Sequence, residues 1–168
     1  QLEVEGFVTF YPHRGVLVSN VSVEDIEELY VMRAALEAFA ARLATPWIVD
    51  SHMEQMRHQI DRMESASSHS NYGAFLEADR AFHVALYGAA NRPQLMEKIA
   101  GLWNRCVRYA RIYFARPGAT AHIARNHDLI MAACVAKDPE MVGQRVREDV
   151  ENTSRNVVEL LRGQAGGS

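Results

Sequence analysis

The sequence predicts an all-α fold, an antiparallel bundle of about six helices. Two observations carry that prediction. From Ser22 to about Arg162 apolar residues recur with helical period, in runs of roughly three to six turns. The runs are parted by short breaks at Thr45-Pro46, Asn91-Arg92, Arg116-Pro117-Gly118 and Asp138-Pro139. Short connections between helices make neighbours antiparallel.

The elements follow in order. Gly6-Phe7-Val8-Thr9-Phe10-Tyr11 and Val16-Leu17-Val18 are short β-type runs around Pro12-His13-Arg14-Gly15, a hairpin signal. A lone two-stranded hairpin is marginal in water, so this one either packs on the body or belongs to a further domain. Ser22-Val23-Glu24-Asp25 reads as a capping box and opens a first helix that runs to about Ala44. A second helix covers about Asp50 to Glu64, and the polar stretch from Ser65 to Ser70 reads as a loop. A third starts near Asn71 and stops at Ala90-Asn91; a fourth runs from Pro93 to about Phe114; a fifth occupies about Thr120 to Ala136. Asp138-Pro139 supplies an N-cap and a first-turn proline for the sixth, which ends near Arg162. The predicted organisation is therefore a hairpin and linker over residues 1–20, a helical domain over 21–163 and a flexible tail over 164–168.

Bulk properties narrow the function classes. A chain of 168 residues fits one domain that buries roughly two thirds of its unfolded surface. A net charge of −3 and a pI near 6.2 exclude a broad basic face that holds nucleic acid by phosphate neutralisation alone. Any DNA contact then lies mostly outside these residues. Cys106 and Cys134 sit among apolar neighbours and are too few for a disulfide framework, which fits a reducing cytoplasm. No apolar stretch of about 18 residues and no export signal is visible, so no membrane association is expected.

Several polar residues fall on apolar faces. At 100° per residue, Phe75, Asp79, Phe82, His83 and Leu86 share a sector of about 100° on the third helix. A carboxylate facing inward there is costly unless it is paired or binds a metal, and His83, one turn on, is a natural co-ligand. His127 sits in the middle of the stripe Ile123, Ile130, Met131 and Cys134 on the fifth helix. On the sixth, Asp149 shares a face with Val142, Val146, Thr153 and Leu160, while Glu148 turns toward solvent. Two carboxylates and two imidazoles from three helices suit zinc, nickel, manganese or iron. The first helix turns Arg33 inward, where it seeks a planar anion, with Glu37 one turn on as the intrahelical alternative. Arg105, at the edge of the apolar face of the fourth helix, is a second candidate for an anionic ligand.

These residues also form a pattern. Asp25-Ile26-Glu27-Glu28-Leu29-Tyr30 with Arg33 and Glu37, then Asp79-x-x-Phe82-His83, then His127-x-x-Ile130-x-x-Ala133, resembles the C-terminal effector-binding (FCD) domain of the FadR subfamily of GntR transcription regulators, over about residues 22 to 162. The hairpin residues resemble the wing of that family's winged helix-turn-helix, whose recognition helix would precede Gln1. The resemblance implies a cytoplasmic regulator rather than an enzyme, acting as a homodimer on operator DNA. It also implies a divalent metal ion (zinc, nickel or manganese) at Asp79, His83 and His127, and a small organic acid effector pairing with Arg33 or Arg105. Where the family tends to carry a further histidine in the last helix, this sequence has Asp149, and an anionic ligand shifts preference toward harder ions.

One rival pattern is present. His83, His127-Asp128 and Asp149 follow the His, His-Asp, Asp order of helical metal-dependent phosphohydrolases. Asp128, however, is rotated about 100° from His127 toward the polar face, which favours the regulator.

Overall fold

Helices begin where a side chain can satisfy the first free backbone N–H groups, and the caps read from sequence are in place in the computed structural model, which describes residues 8–11, 15–18, 22–116, 118–120 and 123–165. At the start of α1 (Val23–Ala44), the Asp25 backbone N–H donates to Ser22 Oγ at 3.0 Å and the Ser22 N–H donates to Asp25 Oδ2 at 3.1 Å. Pro46 then carries the chain through a single 3-10 turn, Thr45–Trp47. The remaining helices are α2 (Asp50–Ser68), α3 (Tyr72–Gly88), α4 (Pro93–Phe114), α5 (Ile123–Val135) and α6 (Pro139–Ala165). Asn71 caps α3 through Ala74 N–H, and Asp138 caps α6 through Met141 N–H. Ahead of the helices, β1 (Val8–Tyr11) and β2 (Gly15–Val18) pair antiparallel, with Val8 opposite Val18 and Tyr11 opposite Gly15.

Two boundaries differ from the sequence expectation. The stretch expected as a loop from Ser65 is the last turn of α2, because Ala66 continues the buried stripe of Met56, Ile60 and Met63. Ser67 hydroxyl lies 2.6 Å from Thr120 Oγ1, so a polar residue there is tied down rather than loosened. The chain leaves the helical path at His69 and turns at Ser70, which adopts a φ of 53°. At the other end α6 continues to Ala165, into the residues expected to form a flexible tail. The hairpin turn at residues 12–14, His13, His122 and residues 166–168 lie outside the described residues.

The apolar faces meet in two clusters. One joins Met56 and Ile60 of α2, Phe75, Phe82 and Leu86 of α3, Ile99 of α4, Ile130 of α5 and Val146 of α6. The other joins Ile26, Leu29 and Tyr30 of α1 with Cys106, Val150 and Val157. Each fully buried aliphatic or phenyl side chain contributes about 1.5–3 kcal/mol by leaving water. Both cysteines are buried free thiols, and among the described residues no helix is long and apolar enough to cross a membrane.

The seam between α1 and α6 depends on Gly143. A Cβ there would stand 2.6 Å from Arg42 Cγ and 3.0 Å from the Ala38 carbonyl oxygen. The second contact is backbone and does not yield. Gly143→Ala is therefore expected to lower stability by about 1–2 kcal/mol, overpacking outweighing the roughly 1 kcal/mol that alanine gains in a helix. A lowered thermal midpoint checks this; an unchanged or raised one would mean that α6 rides off α1 without penalty.

Candidate metal and effector site

The i, i+4 spacing of Asp79 and His83 on α3 points both side chains toward α5 and α6, which supply His127 and Asp149. Donor atoms of Asp79, His83 and His127 all lie within 4.8 Å of one another. Ligand atoms around one transition-metal ion at bond lengths near 2.1 Å lie roughly 3.4–4.2 Å apart, so the group needs only a small contraction. Two cross-helix contacts organise it. His127 Nε2 stands 3.2 Å from Asp79 Oδ1, and His83 Nε2 stands 3.6 Å from Asp149 Oδ2. Phe82 meets both imidazoles edge-on, with centroids 5.3 Å from His83 and 4.4 Å from His127, and so fixes the ring planes.

Hydrogen bonds decide which ring nitrogens are free. His127 Nδ1 lies 2.8 Å from the Ile123 carbonyl oxygen, which can only accept, so Nδ1 carries the proton. Nε2 is then the lone-pair nitrogen of the neutral ring. It is buried, and without the alignment that a hydrogen bond to Asp79 requires it has no partner among the described residues.

His83 is set in the same sense from further away. Glu37 of α1, fully buried, accepts from Arg33 Nε at 2.8 Å, Trp103 Nε1 at 3.0 Å and the Tyr87 hydroxyl at 3.1 Å. Burial, then the Glu37 charge, push the Tyr87 phenol well above its ordinary pKa, so its proton stays and points to Glu37. The Tyr87 oxygen, 3.0 Å from His83 Nδ1, is left to accept from that ring, and His83 Nε2 is also a lone pair. Both free nitrogens thus face carboxylates.

Electrostatics agree with a cation-seeking site. Burial alone would lower the His127 pKa, but Asp79 beside it and the Asp149 charge outweigh burial and hold it up to about 9. Burial would raise Asp149; the His83 contact and the His127 and His83 charges instead hold it below the usual carboxylate range. A field that retains a proton between two carboxylates attracts a metal cation in the same place.

Beside these residues lies a cavity of about 70 Å³, lined in part by Arg33, Asp79, Arg80, His83, Trp103 and Asp149. Of the six residues expected at the site, Arg33, Asp79, His83 and Asp149 line the cavity, and His127 stands against Phe82 with its donor nitrogen within 4.8 Å of the donor atoms of Asp79 and His83. Asp79 is less enclosed than its helical sector suggested, its side chain 25% exposed against 10% for Asp149. Arg33 borders the cavity with its charge already balanced by Glu37. Arg105 is not brought to the cavity: it is exposed, because α4 buries Trp103, Cys106 and Ala110 and position 105 falls about 100° outside that face. Asp128 is half exposed and paired with Arg57 at 2.7 Å, so no His-Asp doublet of the hydrolase kind enters the site. Sequence reasoning missed Tyr87, although it stands one turn beyond His83, and it missed Trp103 and Asn126, the latter donating to Asp149 Oδ1 at 3.3 Å.

Residues 28–152 match the family model of the FCD domain. The chain belongs to the FCD domain family. Among relatives of this FCD chain, the HTH-type transcriptional regulator McbR of Escherichia coli is 26% identical over 77% of this chain, which spans 59% of McbR. The Nta operon transcriptional regulator of Aminobacter aminovorans is 23% identical over 97% of this chain and 76% of its own length. The solved structure of Escherichia coli McbR shares the fold with a TM-score of 0.86 at 21% identity, covering 95% of this chain and 80% of that one. A GntR-family regulator from Pseudomonas syringae superposes with a TM-score of 0.73 at 20% identity, covering 99% of this chain and 69% of that one. The all-α bundle and the resemblance to GntR-type regulators are thereby borne out. The relatives are themselves named as transcriptional regulators.

Proposed function

We propose that this FCD domain is the sensing and dimerisation part of a cytoplasmic GntR-type regulator, holding a divalent metal ion and binding a small carboxylate effector that alters operator binding. The observation that carries the metal is His127: a buried Nε2 3.2 Å from Asp79 Oδ1 with no aligned hydrogen-bond partner among the described residues, its other nitrogen locked on a backbone carbonyl. That is how proteins orient an imidazole ligand. Asp79, His83 and His127 would hold the ion with Asp149 beside them. The bound ion supplies a positive centre that polarises and orients an anion.

The chain's own residues do the rest. Ile123 carbonyl and the Tyr87–Glu37 pair hold the two rings in their ligating tautomer. Arg33, on the cavity wall, offers a guanidinium to the effector carboxylate. An effector lodged among α3, α4 and α6 would shift helices that also pack on α1, and so the spacing of two winged domains on DNA, with β1 and β2 as the wing.

Elemental analysis of the purified protein, followed by calorimetric titration of small organic acids into the metal-loaded form, tests this reading. One metal per chain and micromolar to millimolar binding of at least one carboxylate are expected. Absence of metal binding across zinc, nickel and manganese would sink the metal; silence of every acid would sink the effector.

A further inference from the structure

Accepting the cavity as the effector pocket, we infer that its ligand is a monocarboxylate with a compact apolar body, not a dicarboxylate or a sugar acid. The cavity lining is of two kinds. Asp79, His83 and Asp149, joined by the contacts described above, line it together with Arg33. α4 adds Trp103, Val107, Ala110 and Phe114, positions on one helical face about 16 Å long, and Leu76 and Ile123 add further apolar lining. Leu76, Val107 and Ile123 are only half-buried, so they leave apolar surface facing the cavity that a hydrocarbon body would cover.

The charges argue against a second anionic group. Arg33 is balanced by Glu37. Arg80, the other cation on the lining, lies over the Trp103 ring with its guanidinium carbon 5.2 Å from the centroid and donates to Asn104 Oδ1 at 3.0 Å. Asp79 and Asp149 would repel a second carboxylate placed near them. A hydroxyl-rich body would lose water hydrogen bonds against Val107, Ala110 and Phe114, and beyond the charged groups and His83 the lining offers it one hydroxyl, that of Thr153. The volume of about 70 Å³ keeps the body compact.

Five probes titrated into the zinc-loaded protein decide the matter: acetate, isovalerate, benzoate, succinate and gluconate. Isovalerate is expected to bind at least tenfold more tightly than acetate, succinate and gluconate, with benzoate marking the upper limit of size. Val107→Asn, at a half-buried position that tolerates a polar side chain, is expected to erase that advantage. An advantage under tenfold, tightest binding by succinate or gluconate, or an advantage that survives Val107→Asn would overturn the inference while leaving a carboxylate effector in place. If none of the five binds, the effector reading itself fails, and this inference falls with it.

Discussion

Glu37→Ala is expected to destabilise the bundle by about 3–5 kcal/mol, the range for stripping one partner from a buried, hydrogen-bonded charge. Glu37 is fully buried and joins three helices: Arg33 on its own α1, Tyr87 on α3 and Trp103 on α4. Alanine would strand a guanidinium and two neutral donors at once. Burial works against the charge on Arg33, and Glu37 more than offsets it, holding the Arg33 pKa above its ordinary value. Glu37→Gln keeps the shape and one acceptor and should lose less, about 1–3 kcal/mol. Urea midpoints with an unchanged m-value would measure both losses. A loss below about 1 kcal/mol for alanine would show that water takes over the role of the carboxylate.

Zinc at a hundredfold its dissociation constant should stabilise the protein by about 2.7 kcal/mol. For a domain of this size that is a rise of roughly 5–11 °C in Tm, at about 2–4 °C per kcal/mol. The shift should vanish with chelator and in His127→Ala, which removes the buried nitrogen that has no aligned hydrogen bond among the described residues. His127→Ala also opens a cavity beside Phe82 and lowers the metal-free Tm, so the quantity to compare is the zinc-induced shift within each variant. An equal shift in wild type and His127→Ala would place zinc elsewhere. Asp149→Asn separates the fourth position from the other three: a tenfold or larger loss of zinc affinity marks Asp149 as part of the ion's surroundings, and no loss marks it as a partner of His83 alone.

Six helices, their caps and their inward faces were legible because each follows from local rules. A capping hydroxyl, a first-turn proline and the 100° step per residue need no knowledge of neighbouring helices. The same step placed Asp79, His83, His127 and Asp149 on core-facing sectors before any packing was known. Where the sequence expectation failed, it failed on local composition: serines from Ser65 suggested a loop, yet Ala66 kept the buried stripe going and the helix with it.

What only the tertiary structure decided were the relations between helices. Periodicity turns His83 and His127 inward but does not say which carboxylate each meets, and the answer is crossed, His127 with Asp79 and His83 with Asp149. It allowed Arg33 a partner in Glu37 but gave no sign that Tyr87 and Trp103, 50 and 66 residues further on, converge on the same carboxylate and so fix the His83 tautomer. Arg105, at the edge of the apolar face of α4, was a weaker candidate than Arg33, and the rotation of α4 turns it to solvent. The physical reason is common to all three. A side chain's direction is set by its own helix, whereas its partners depend on the rotation and axial offset of helices packed against it, and those are settled only when the whole core closes.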